Sequence, residues 1–144
     1  ISAGPNGRTD FHLNPTEEFF YQIEGDIFLK LWVDDAFKDQ WIREGEIFVL
    51  PANTYHSPQR PPNTIGLVIE QQRPKDKDDG LMWRCPQCST KLYEKTFHLN
   101  DIVNELKNEI LKFFAQPELG KCKSCGHQIT KESSFFDTSG KTDA

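Results

Sequence analysis

A chain of 144 residues and 16.6 kDa has room for one domain of ordinary size and, at most, a small appendage. Hydrophobic residues make up 36%, with eleven Phe and three Trp, enough to fill a core, while 27% charged residues of both signs suit the surface of a globular chain. The net charge of -5 and pI near 5.4 argue against nucleic acid or an anionic membrane as partner, and no apolar run approaches the roughly 20 residues of a membrane span.

The N-terminal "ISAGPNGRTD" lacks the apolar core of a signal peptide, so the cytosol is the expected compartment, and a start at Ile1 rather than Met leaves room for a preceding segment. "FFYQIEGDIFLKLWVDD" alternates its side chains in two runs broken by Glu24-Gly25-Asp26, and reads as a hairpin. "WIREGEIFVLPANTYHSPQR" repeats the theme, with an Arg-Glu-Gly turn, a strand from Glu46 to Leu50 and a bend at Pro51-Ala52-Asn53. "TIGLVIEQQ" is a further apolar strand. Short strands at this spacing predict an antiparallel sandwich or barrel. "RPKDKDDG" then reads as a charged linker. Beyond it, Ile102, Val103, Leu106, Ile110 and Phe113 recur at helical spacing, with Asn100 or Asp101 to cap the start and Pro117 after the end. From Thr130 the composition turns polar and a tail is expected. These shifts divide the chain into 1–74, a β barrel; 75–129, a four-cysteine unit with one helix; and 130–144, the tail.

Two segments carry chemistry. If residues 8–12 are extended, Arg8, Asp10 and His12 share one face, as do His56, Pro58 and Arg60 further on. Two imidazoles and one carboxylate form the facial ligand set of a non-heme Fe(II) site, which leaves adjacent positions open. His12, five residues and Glu18 make a weak signal alone. "GEIFVLPANTYH" strengthens it by adding Gly45, five residues, Pro51, a small turn and His56. Alternation sends Glu17 and Glu18 to opposite faces, so only one can reach a metal.

Cys85-Pro86-Gln87-Cys88 and Cys122-Lys123-Ser124-Cys125 form two knuckles 33 residues apart, with Gly126 in place to relax the second turn. Four thiolates make a closed tetrahedral site for Zn or Fe, with no position left for a substrate, so its expected role is structural. Paired disulfides are the alternative. His98 and His127 have no evident role, although His127 is a conceivable substitute ligand. Trp32, Trp41 and Trp83 are read as core packing. The chain contains no Gly-rich phosphate loop, so no nucleotide cofactor is expected.

The pattern G-x5-P-x-N-x2-H resembles the second cupin motif, and "DFHLNPTEEFFYQIEG" resembles the first, which implies a double-stranded β-helix, or jelly-roll, barrel. Where many cupins carry H-x-H, Asp10 takes the first position here and the gap to Glu18 is five, which leaves His12, Glu18 and His56 as the ligand set. The six residues between Glu18 and Gly25 match the E-x6-G that closes the first motif and select Glu18 over Glu17.

The longer strings "RTDFHLNPTEEFFYQIEG", "LPANTYHSPQRP" and "LVIEQQRP", followed by the two C-x2-C knuckles, are similar to the 3-hydroxyanthranilate 3,4-dioxygenase family of bacterial and fungal type, over about residues 4–126. That resemblance implies His12, Glu18 and His56 as iron ligands, Arg8, Arg60 and Glu70, with Glu18, as substrate-contacting residues, and Cys85, Cys88, Cys122 and Cys125 as a rubredoxin-like metal site. It further implies ring opening of 3-hydroxyanthranilate by O2 to 2-amino-3-carboxymuconate semialdehyde, a precursor of quinolinate and NAD, in a homodimer. Asp10 either orients a ligand from behind or is an ordinary hydrogen-bonded surface carboxylate. Two other readings are a non-catalytic cupin that binds a small acid, and an iron dioxygenase of another phenol or of a thiol. A positively charged pair beside a carboxylate suits an aromatic amino acid-like acid better than either.

Overall fold

The computed structural model describes residues 1–136. Ten antiparallel strands form two sheets. The four-stranded sheet has the order β1 (Ser2–Ala3), β8 (Ile65–Glu70), β3 (Glu18–Glu24), β6 (Ile47–Leu50). The six-stranded sheet runs β10 (Lys91–Phe97), β9 (Asp79–Arg84), β2 (Asp10–Leu13), β7 (Tyr55–Gln59), β4 (Ile27–Val33), β5 (Ala36–Ile42). Phe20, Ile27, Leu29, Leu31, Ile42 and Leu50 fill the space between the sheets, each the inward member of an alternating strand. This is the mostly-β cupin sandwich that the motifs imply.

The expected hairpin at Glu24-Gly25-Asp26 is not one. β3 pairs with β6 and β8, whereas β4 pairs with β5 and β7, so the chain crosses from one sheet to the other at this turn. Gly25, at φ 68°, makes the corner. The Arg43-Glu44-Gly45 turn crosses between sheets in the same way, from β5 to β6, and β6 begins at Ile47 rather than Glu46. The hairpin in this region lies at Asp34-Asp35, where φ values of 52° and 56° close β4 onto β5 in the primed geometry that matches strand twist. Turn residues report where a chain bends; partner choice depends on which face must be buried.

The stretch 73–80 is a linker only in part. Asp79 and Gly80 open β9, and Asp79 is fully buried. Since β9 pairs with β2 on one side and β10 on the other, the sheet of the barrel continues across the division expected after residue 74. The helix α1 (Ile102–Phe114) starts where expected, with the Asp101 carboxylate accepting from the backbone N–H groups of Val103 and Asn104. Its apolar face packs through Leu106, Ile110 and Phe113 onto β9 and β10, and Phe113 stacks on Trp83 with ring centroids 3.8 Å apart. Trp83 is the core tryptophan. Trp41 is 36% exposed and Trp32 lies beneath the Arg84 guanidinium, 3.8 Å from its ring centroid. Of the segment from Thr130, the described part places Phe135 against Phe11 and Phe37 on the outer side of the six-stranded sheet; residues 137–144 lie outside the described residues.

Candidate metal centre

His12 on β2 and His56 on β7 sit directly opposite each other in the six-stranded sheet, with ring centroids 5.4 Å apart. Glu18 comes from the facing sheet, where it stands opposite Glu70 of β8. Strand alternation turns all three inward, and each is at most 4% exposed, whereas Glu17 faces solvent. Their ligand atoms lie within 4.8 Å of one another. The Glu18 Oε2 atom is 2.7 Å from His56 Nε2, yet its direction satisfies no hydrogen bond. A buried carboxylate oxygen so placed beside two imidazole nitrogens suits a cation held in common. Two imidazoles and a carboxylate are the donor set that divalent transition metals favour, so the residues fit a metal.

The electrostatics agree with that donor set. Burial pushes the Glu18 carboxyl up, but His56 outweighs it by charge and contact, and Glu18 is held well below the usual carboxylate range. Burial, with the neighbouring His56, keeps His12 below its ordinary value and so in the neutral form that ligates. Glu70 is pushed up to about 8, first by burial and then by the adjacent Glu18 carboxylate, with Arg73 pulling the other way.

A cavity of 430 Å³ opens over the three residues, with Arg8, Pro58, Arg60, Val68 and Glu70 among its walls. The expected convergence of Arg8, Arg60 and Glu70 is thus present, but the two arginines differ. Arg8 is tied to Asp10, its Nε donating to Oδ1 at 2.9 Å. Asp10 is 3% exposed, so it is no surface residue, and its partner is the arginine rather than a metal ligand. Arg60 is 3% exposed and its Nη1 has no hydrogen-bond partner among the described residues. Burial, aided by Arg8, lowers its pKa to about 10. Gly66 makes room for it, since a Cβ there would meet the Arg60 Nη1 at 2.9 Å. An Arg60–Glu70 ion pair does not form, because Glu70 pairs with Arg73 at 3.3 Å. Residues from the start of α1, Ile102, Val103 and Leu106, close one side of the cavity.

Three partners of the centre escape a motif reading. Asn14 donates from Nδ2 to Glu18 Oε1 at 3.1 Å. Asp79 approaches His12 Nε2 to 2.6 Å, and Arg73 donates to Asp79 from Nε at 3.0 Å and Nη2 at 2.9 Å. Asn14 lies inside "HLN", where no spacing rule marks it, and the other two lie within the charged run that reads as solvated.

The four cysteines gather as the spacing predicts, within 4.8 Å of one another. Cys85 and Cys125 Sγ are 3.5 Å apart, as are Cys88 and Cys122, far beyond the roughly 2.05 Å of a disulfide. The two knuckles repeat one hydrogen-bond pattern: Ser89 N donates to Cys85 O at 2.8 Å, and Gly126 N to Cys122 O at 2.9 Å. Gly126 has φ 82°, the left-handed value that its position demands. The backbone N–H of Cys125 helps lower the Cys122 thiol to about 6, toward the thiolate that a metal requires. His127 contributes its carbonyl to Cys122 N and is not part of the cluster. His98 binds the Lys77 carbonyl through Nδ1 at 2.9 Å on the surface.

We predict that Cys122→Ser lowers the melting temperature and the soluble yield, while the folded fraction keeps metal at the histidine–glutamate centre. Metal analysis of that fraction decides it. A disulfide between any two of the four cysteines, found by mass spectrometry of the native protein, would contradict a metal site.

Among known proteins, the family described as "3-HAO: 3-hydroxyanthranilic acid dioxygenase" matches residues 1–114. A Candida albicans protein named 3-hydroxyanthranilate 3,4-dioxygenase is 45% identical over 126 residues, covering 88% of this chain and 74% of its own. Proteins of the same name from Neurospora crassa and Xanthomonas campestris are 44% and 46% identical, each over 88% of this chain and over 70% and 72% of their own. Reaching over most of the chain and including both sheets' ligand candidates, these matches join the geometry in one conclusion: the chain belongs to the 3-hydroxyanthranilic acid dioxygenase family.

Proposed function

We propose that the chain is an Fe(II)-dependent dioxygenase that opens the ring of 3-hydroxyanthranilate with O2, with His12, Glu18 and His56 as the iron ligands. The observation that carries the reading is the unpartnered, buried Arg60 guanidinium in the same cavity as a facial histidine–glutamate set. Ferrous iron bound there supplies a Lewis-acidic, redox-active centre that can take the aminophenol and O2 together.

The residues of the chain do the rest. Arg60 binds the substrate carboxylate, and its planar donors set the ring's orientation. Arg8, held by Asp10, adds positive charge on the same side. Glu70, whose Oε2 is held by Arg73, stands beside Glu18 in the cavity wall and hydrogen-bonds to the bound substrate. Phe20, Pro58 and Val68 line the cavity and limit water around the reacting ring. Both oxygen atoms of O2 enter the product, 2-amino-3-carboxymuconate semialdehyde, and family resemblance places it before quinolinate and NAD.

Iron or zinc at the four cysteines is part of the same proposal, as are the cytosol and a homodimer. Among the described residues no helix is long and apolar enough to cross a membrane. Exposed Ile47, Val49 and Ile69 on the outer side of the four-stranded sheet support an assembly of two copies, which light scattering would measure.

The test is anaerobic loading with Fe(II), then addition of 3-hydroxyanthranilate and O2. New near-ultraviolet absorbance, with one O2 consumed per ring opened and activity lost to a chelator, is the expected result. Iron-loaded protein that consumes no O2 with this substrate would overturn the reading.

A further inference from the structure

Asp79 and Arg73 lie in the stretch of chain that composition marks as a linker, and both point into the molecule. Asp79 is fully buried, and the Arg73 side chain is only 7% exposed. The His12 Nε2–Asp79 Oδ2 contact is 2.6 Å, while His12 Nδ1 is turned toward Glu18, 4.0 Å from Oε1. Arg73 then holds Asp79 with two prongs, at 3.0 and 2.9 Å, and reaches Glu70 Oε2 with Nη1 at 3.3 Å. Glu70 belongs to the four-stranded sheet and Asp79 to the six-stranded one, so a single guanidinium ties the two walls of the site together.

Burying two carboxylates and a guanidinium seldom stabilises a fold more than apolar side chains of the same volume would. A reason other than stability is therefore needed for them. A histidine that ligates a metal needs its second nitrogen held by an acceptor, which selects the tautomer and stops ring rotation. His56 has its own device, with Nδ1 2.9 Å from the Thr54 carbonyl.

We infer that Asp79 and Arg73 are positioning residues of the centre: Asp79 keeps the proton on His12 Nε2 so that Nδ1 faces the metal, and Arg73 fixes Asp79 and Glu70 relative to each other across the two sheets. The inference rests on His12 being a ligand, as proposed above. Loss of Asp79 then acts on metal affinity, in the range of 10- to 100-fold, and loss of Arg73 acts on both metal affinity and KM.

The experiment is anaerobic Fe(II) titration of the full chain against a competing chelator, on wild type, Asp79→Ala, Asp79→Asn, Arg73→Ala, Arg73→Lys and His12→Ala. Only protein with wild-type elution and near-ultraviolet circular dichroism is used. Asp79→Ala is expected to bind iron roughly 10- to 100-fold more weakly. Asp79→Asn, which keeps an acceptor for Nε2–H, should recover much of that loss and folds as a near-isostere if the alanine variant does not. Arg73→Ala should raise KM as well, with Arg73→Lys restoring part of both. A merely structural role would lower melting temperature and leave iron affinity of the folded fraction unchanged. Iron affinity within twofold of wild type in folded Asp79→Ala overturns the inference, and if that variant does not fold, the same result in Arg73→Ala overturns it. His12→Ala that keeps its iron overturns the ligand assignment itself, and so separates the two failures.

Discussion

His56→Ala protein loses the iron of the histidine–glutamate centre and nearly all turnover, while its sheets remain paired. The expectation follows from geometry. His56 sits mid-strand between β2 and β4, and its backbone pairing does not depend on the imidazole. The imidazole is almost fully buried, with Nε2 2.7 Å from Glu18 Oε2 and Nδ1 occupied by Thr54 O. Its removal leaves one imidazole and one carboxylate, too few donors to hold a divalent ion against water, and strands a buried Glu18 charge that lost its main partner. The same loss is expected for His12→Ala and Glu18→Ala. Elemental analysis beside circular dichroism is the measurement. His56→Ala protein with one iron still at this site, counted separately from metal at the cysteines, would refute the ligand set.

Arg60→Ala should keep its iron and lose roughly 30-fold or more in kcat/KM for 3-hydroxyanthranilate. Removing one partner of a desolvated charge pair costs on the order of 2–5 kcal/mol, and about 1.4 kcal/mol is tenfold. Arg60 is the suitable arginine because Asp10 already occupies Arg8, whereas Arg60 lines the cavity and its buried Nη1 has no partner among the described residues. 2-Aminophenol, which keeps the amino and hydroxyl groups but lacks the carboxylate, separates carboxylate recognition from general damage. Wild type should turn it over poorly, and the variant hardly less well than wild type. An equal fall for both compounds would show that Arg60 does not read the carboxylate, and the choice of substrate would lose its main physical support.

Much of the centre is legible in local pattern. Alternation sends Glu17 and Glu18 to opposite faces, the resemblance to the first cupin motif selects Glu18, and the structure has Glu18 inside and Glu17 outside. The turn at Pro51-Ala52-Asn53 delivers His56, with Asn53 at φ 59°. The helix is marked by its apolar period and its Asp101 cap, and the cysteine knuckles by their spacing. These features depend on residues a few positions apart, which obey the same geometry wherever the segment ends up.

What a single strand or turn cannot carry is its partner. The bends at Gly25 and Gly45 look like hairpins locally and prove to be crossings between sheets, because burying the Phe20 and Leu50 side of one sheet on the Leu29 and Leu31 side of the other settles the pairing. The division of labour between the two arginines is of this kind, since Asp10 and Arg8 are close along the chain but Arg60 is left free only by where Arg73 and Glu70 meet. Asp79 is the sharpest case. Within "RPKDKDDG" it is one acid among several, and the sequence by itself determines only that such a run prefers water. The tertiary structure takes this one carboxylate out of water and sets it between His12 and Arg73, 67 residues from the first along the chain, because a charge can be buried only where partners from distant segments converge on it.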